Sequence, residues 1–139
     1  MSYVIEHIGI SVSQPIEMAS WYQRVLGFEV IFSGQNSEKA VVFICDAHKS
    51  VVLELGQIPN VAPLRNRTDH HLQFHIALKS EDPDSDSNHL IQNGAKFIEK
   101  CPVTRDGDYL IVVEDPWDNC IQLAKRAPGR NLLPNQSPP

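Results

Sequence analysis

Two stretches of the chain share one alternation of apolar and polar residues: V-I-E-H-I-G-I-S-V at residues 4–12 and L-Q-F-H-I-A-L-K-S at residues 72–80. Both are short and rich in β-branched or large apolar side chains, which predicts a strand in each. In the first, Ile8, Ile10 and Val12 fall on one face, and Ile5, His7, Gly9 and Ser11 on the other. Leu72, Phe74, Ile76 and Leu78 alternate in the same way with Gln73, His75, Ala77 and Lys79. Each strand is followed by a helix signal. Ser13 and Pro15 predict an N-cap and first turn, Met18, Trp21, Tyr22, Val25 and Leu26 recur at helical spacing, and Gly27 predicts the stop. In the second half S-E-D-P-D-S-D-S suits the positive end of a helix dipole, Leu90 and Ile91 carry the apolar face, and Asn93-Gly94 ends it.

Three further strands are predicted in each half, at 28–32, 40–45 and 51–55, then at 95–99, 109–113 and 120–124, with a weaker strand signal near Val103. Turn chemistry separates them: S-G-Q-N-S, D-A-H-K-S, Asp106-Gly107 and D-P-W-D-N. The order is βαβββ twice, in modules of about residues 3–56 and 71–126. Residues 57–70 read as an aperiodic connector and 127–139 as a proline-rich tail. The expected architecture is α+β, one domain over residues 1–126: two βαβββ modules in tandem form a cupped mixed sheet with helices on its convex side.

The repeat extends to the polar positions. His7 and His75 lie 68 positions apart, and Glu54 and Gln122 keep the same offset (75 − 7 = 122 − 54 = 68). Each sits in an otherwise apolar run. If one helix covers the larger apolar residues of each module, period-two counting puts all four side chains on the faces left to line the concave surface.

Composition narrows the function. A chain of 139 residues with 42% hydrophobic content can bury a core, and its 12 basic against 17 acidic residues give a net charge of −5 without long runs of either sign. Nucleic acid and anionic membranes are therefore discounted as partners. No stretch approaches the roughly 18 apolar residues of a membrane span, and M-S-Y-V-I-E-H lacks the features of a signal peptide. Cys45, Cys101 and Cys120 are odd in number and widely spaced, which indicates neither a disulfide framework nor a zinc knuckle and fits a cytoplasmic protein.

Two imidazoles, a carboxylate and an amide oxygen suit a borderline divalent ion: Zn, Ni, Co, Mn or Fe(II). The other histidines, His48, His70, His71 and His89, read as solvated or structural, and Trp21 and Trp117 as packing residues. Cys120 shares parity with Gln122 and reads as a small buried hydrophobe. Arg65 and Arg67 in the connector could reach an anionic substrate.

The residues H-I-G-I-S-V at His7, W-Y-Q-R-V-L-G-F from Trp21 to Phe28, L-E-L at Glu54, F-H-I-A-L at His75, N-G-A from Asn93 and E-D-P-W-D-N-C-I-Q-L from Glu114 resemble the vicinal oxygen chelate superfamily over residues 3–126. That superfamily includes glyoxalase I, methylmalonyl-CoA epimerase, extradiol dioxygenases, fosfomycin-resistance enzymes and bleomycin-binding proteins. The resemblance implies a metal held by His7, Glu54, His75 and Gln122, and often a homodimer. It also marks departures. Gln122 stands where most metal-dependent members have glutamate, Ser11 where bacterial glyoxalase I has an arginine, and Ile58 where an asparagine is expected, which argues against glutathione hemithioacetal as substrate. Gln122 likewise breaks the extradiol dioxygenase pattern. The implied function is a metal-dependent glyoxalase-like lyase or isomerase acting on a small molecule with vicinal oxygens, with Glu54 as base. The alternative is a non-catalytic, antibiotic-sequestering type of binding protein on the same fold.

Overall fold

The computed structural model describes residues 1–64 and 70–132. It divides into two compact units, 1–64 and 65–139.

In the first unit β1 (Ile8–Ser11), α1 (Pro15–Leu26), β2 (Glu29–Gln35), β3 (Ala40–Cys45) and β4 (Val52–Gln57) form a four-stranded mixed sheet of order β1-β4-β3-β2. β1 runs parallel to β4 and the other pairs are antiparallel. Helix α1 packs on one face. Its Met18, Trp21, Tyr22 and Val25 are buried, as are Ile10, Val42, Ile44, Leu53 and Leu55, the sheet residues of matching parity. Gly27 ends the helix in the left-handed region (φ 71°), and its N–H donates to the Tyr22 carbonyl.

The second unit repeats this with β5 (Ile76–Lys79), α2 (Pro83–Gln92), β6 (Lys96–Lys100), β7 (Tyr109–Glu114) and β8 (Cys120–Lys125), in the order β5-β8-β7-β6. Asp82 caps α2 by accepting from the Ser85 N–H at 3.1 Å, with Asp84 and Asp86 in the first turn. Leu90 is buried, as are Ile111, Val113, Ile121 and Leu123 on the strands against which α2 packs. Buried Asp115 fixes the turn ahead of β8, accepting from the N–H groups of Trp117 (2.8 Å) and Asn119 (2.9 Å). No helix among the described residues is long and apolar enough to cross a membrane.

The expected α+β fold of two tandem βαβββ modules is present, and several boundaries move. The first strand begins at Ile8, not at residue 4, and Val4 and Ile5 are 93% and 84% exposed. A strand needs a partner as well as a propensity, and β4 offers one only from Leu53, opposite Ile8. Likewise residues 72–75 are not strand: a single 3-10 turn occupies His71–Gln73, and pairing with β8 starts at Ile76. Gln14, not Ser13, is the N-cap of α1 and makes no side-chain cap. β2 runs on through the predicted S-G-Q turn to Gln35 because β3 pairs with it back to Ala40. Val103 lies outside any strand, exposed before the Gly107 turn.

Candidate functional site

Parallel pairing sets Gly9 beside Glu54. His7, two residues before Gly9, stands just ahead of β1 on the sheet face that α1 leaves open. Its Nε2 lies 3.0 Å from Glu54 Oε2. Its Nδ1 meets the carboxylate of Glu6. Alternation would send Glu6 to the opposite side, but the pleat starts only at Ile8, so Glu6 can turn to its neighbour. The hydrogen bond to Glu6, with the negative charges of Glu6 and Glu54, raises the His7 pKa above its ordinary 6.5 against a lesser effect of desolvation. Phe43, opposite Glu54 on β3, presents to the His7 ring at 5.5 Å between centroids and 84° between planes.

The second unit repeats the framework. Ala77 stands beside Gln122 as Gly9 stands beside Glu54, and His75 precedes Ala77 by two residues. His75 Nδ1 is 3.2 Å from the Leu72 carbonyl oxygen. A carbonyl only accepts, so Nδ1 carries a proton and donates it, leaving Nε2 as the other ring nitrogen. Gln122 is 8% exposed, on the face opposite α2 with buried Val112 and Cys120.

The donor chemistry fits a divalent ion. Two ligand atoms bonded at about 2.1 Å and at right angles lie about 3 Å apart, close to the separation of His7 Nε2 and Glu54 Oε2. A carboxylate on the other ring nitrogen is the usual support for a ligating histidine, and Glu6 supplies it. Among the described residues, no three His, Cys, Asp or Glu side chains are gathered closely enough to hold a metal by themselves.

Three features of these faces do not follow from alternation and spacing. Glu6 is one. The second is an ion pair between His71 Nε2 and Glu99 Oε1 at 2.7 Å, with His70 stacked on His71 at 4.4 Å. Glu99 lies in one cross-strand row with Val112, Gln122 and Ala77, so the chain ahead of β5 runs back over the Gln122 face to the far strand. The third is Phe32, edge-on to Phe43 at 6.0 Å on the His7 face. Cys120 and Trp21 are buried as expected. Arg65 and Arg67 lie outside the described residues.

A family model described as the glyoxalase/bleomycin resistance protein/dioxygenase superfamily matches residues 4–123. No curated protein matches the chain. Among solved structures, a glyoxalase family protein from Bacillus cereus is similar at 13% identity and TM-score 0.73, covering 91% of this chain and 95% of its own. The trypanothione-dependent glyoxalase I of Leishmania major gives 21%, TM-score 0.67 and coverage of 88% and 86%. An antibiotic binding protein from Streptomyces sp. CB03234 gives 17%, TM-score 0.63 and coverage of 91% and 100%. At these identities the likeness speaks for the fold.

Proposed function

The chain belongs to the glyoxalase/bleomycin resistance protein/dioxygenase superfamily, and from that premise we propose that it is a metal-dependent, glyoxalase-like lyase or isomerase acting on a small molecule with vicinal oxygens. The observation that carries this reading is the His7–Glu54 pair at 3.0 Å, backed by Glu6 and placed by the same register that sets Gln122 in the second unit. The residues that would hold the ion are His7 and Glu54, with His75 and Gln122 as the corresponding pair. When bound, a divalent ion supplies positive charge against the anionic character that develops as a C–H beside a carbonyl is ionised.

The chain's own residues do the rest. Glu54 takes the proton, since among the four donors it alone bears a carboxylate. The Gln122 amide can accept a hydrogen bond or ligate through oxygen but cannot carry a proton. One base therefore both removes and returns it, so the transfer proceeds on one face of the substrate. Without an ion, His7 holds the Glu54 carboxylate in place through Nε2; with one, those same two atoms would be its ligands. The same reading takes the protein as a cytoplasmic homodimer.

Metal analysis of untagged protein purified without chelator tests the proposal. Stoichiometric metal, or tight uptake of Ni, Zn, Co or Mn on addition, is the expected result, and absence of both defeats it. A second reading, sequestration of a small ligand without turnover, is favoured by the amide at Gln122 and by the likeness to an antibiotic binding protein.

A further inference from the structure

The open face of the first sheet carries more than the His7–Glu54 pair. Cross-strand pairing lines up Gly9, Glu54, Phe43 and Phe32 in one row across all four strands. Phe32 reaches this row because of a β-bulge. Val30 pairs with Ile44, a helix-facing residue, and simple alternation would put Phe32 on that buried face too. The irregularity between Val30 and Phe32 shifts the register, so Phe32 pairs with Phe43 and is turned to the open side.

The three rings form a continuous edge-to-face series: His7 to Phe43 at 5.5 Å and 84°, then Phe43 to Phe32 at 6.0 Å and 69°. Phe32 ends it 58% exposed, a large cost in hydration for a ring that α1 could have covered. Its position is held from the same strand. A Cβ built on Gly34 would lie 3.3 Å from two atoms of the Phe32 ring, so the ring rests over a residue whose lack of a side chain makes room for it. At Gly9, in the row beside Glu54, a Cβ would meet nothing within 4 Å, which leaves open space next to the carboxylate.

A polar pair suited to two oxygens thus adjoins an aromatic shelf on one surface, with Phe32 as its exposed end. We propose that Phe32 and Phe43 form a subsite for a planar aryl group, so that the ligand is an aryl-substituted compound with vicinal oxygens: the oxygens at His7 and Glu54, the ring on the two phenylalanines. This rests on the functional reading above and adds the substrate class. The second unit sharpens the contrast. A matching irregularity between Phe97 and Glu99 turns Glu99 to the equivalent place, so where the first sheet shows a phenyl ring the second shows a carboxylate.

The test compares two neutral α-hydroxyketones, 2-hydroxyacetophenone and hydroxyacetone, which differ by phenyl for methyl. Each is titrated calorimetrically into the full chain in zinc-containing buffer. The phenyl compound is expected to bind roughly tenfold tighter. In Phe32→Ala the difference should shrink to about twofold, and Gly34→Val, which displaces the ring without removing it, should fall between. Circular dichroism verifies that each variant is folded. Equal binding of both ketones overturns the aryl subsite and leaves the vicinal-oxygen reading standing; binding of neither counts against both. If Phe32→Ala changes the sedimentation behaviour while the two ketones bind alike, the shelf is a subunit contact and the inference fails.

Discussion

Glu6 closes one side of the His7 ring, engaging Nδ1, so that Nε2 is the nitrogen turned to Glu54 at 3.0 Å. Carboxylate, imidazole and carboxylate thus stand in line, and the first holds a proton on Nδ1 of the middle group and fixes its orientation.

That line predicts a graded loss of metal affinity. Replacing an outer partner of a ligating histidine lowers affinity about 10- to 100-fold. Glu6→Gln should therefore weaken zinc binding within that range, and His7→Ala should weaken it further. Calorimetric titration of zinc into both variants decides it. Unchanged affinity in Glu6→Gln would show that the contact at Nδ1 is incidental.

Much of this site is legible in the sequence because period-two alternation and a fixed repeat are local signals. Gly9 beside Glu54 and Ala77 beside Gln122 are what those signals imply once the strands pair. The rest depends on long-range pairing. The strand propensity of Val4 and Ile5 comes to nothing because β4 offers no partner there. Bulges after Val30 and Phe97 reverse the parity of Phe32 and Glu99, and no residue type in those strands announces them. His71 and Glu99 are 28 residues apart, and only the return of the chain across the sheet joins them.

Gln122→Glu separates the catalytic from the sequestering reading. Gln122 is 8% exposed beside Val112 at 0%, so a carboxylate placed there without a counter-charge destabilises the fold. The metal-free variant should melt below the native chain. Zinc at about 100 times its Kd adds about 2.7 kcal/mol to a folded state that binds it, and the rise in Tm on adding zinc should be larger in the variant. Gain of metal affinity without turnover on hemithioacetals, 2-oxo thioesters and catechols would favour sequestration. A variant that melts lower and gains nothing from zinc would remove Gln122 from the ligand set.

The thiols report on opening of the second sheet. Burial, together with the negative charge of nearby Glu114 and Glu99, pushes the Cys120 thiol up to about 11. Burial and Glu99 also raise Cys101, which is half-buried. Thiolate is the reactive form, so near neutral pH both should react slowly with iodoacetamide. Cys101 should label first in the native protein. Cys120 should label only at the rate at which β8 becomes exposed, as followed by mass spectrometry of quenched samples. Rapid labelling of Cys120 in native buffer would mean that β8 is not buried in solution.

The last prediction concerns acid. Asp108 is buried at the start of β7, where the Ala127 N–H donates to Oδ1 at 3.0 Å and Arg126 Nη1 to Oδ2 at 2.6 Å, with Arg130 Nη1 at 3.6 Å. The Ala127 hydrogen bond first, then Arg126 and the charge of Arg130, hold the carboxyl below its ordinary 3.8. A carboxylate with a depressed folded-state pKa contributes stability that is fully present above the unfolded value. That contribution is lost as pH falls through the folded one. Asp108→Asn keeps the shape and an acceptor for the Ala127 N–H but removes the charge facing both arginines. Native protein should therefore resist urea better than the variant by a constant margin near neutral pH. Below 3.8 the margin should close as Asp108 protonates in the native chain. Urea titrations of both proteins from neutral pH to about pH 3 measure it. A margin that stays constant across that range would mean that the charge of Asp108 does not hold the segment after β8 to the sheet.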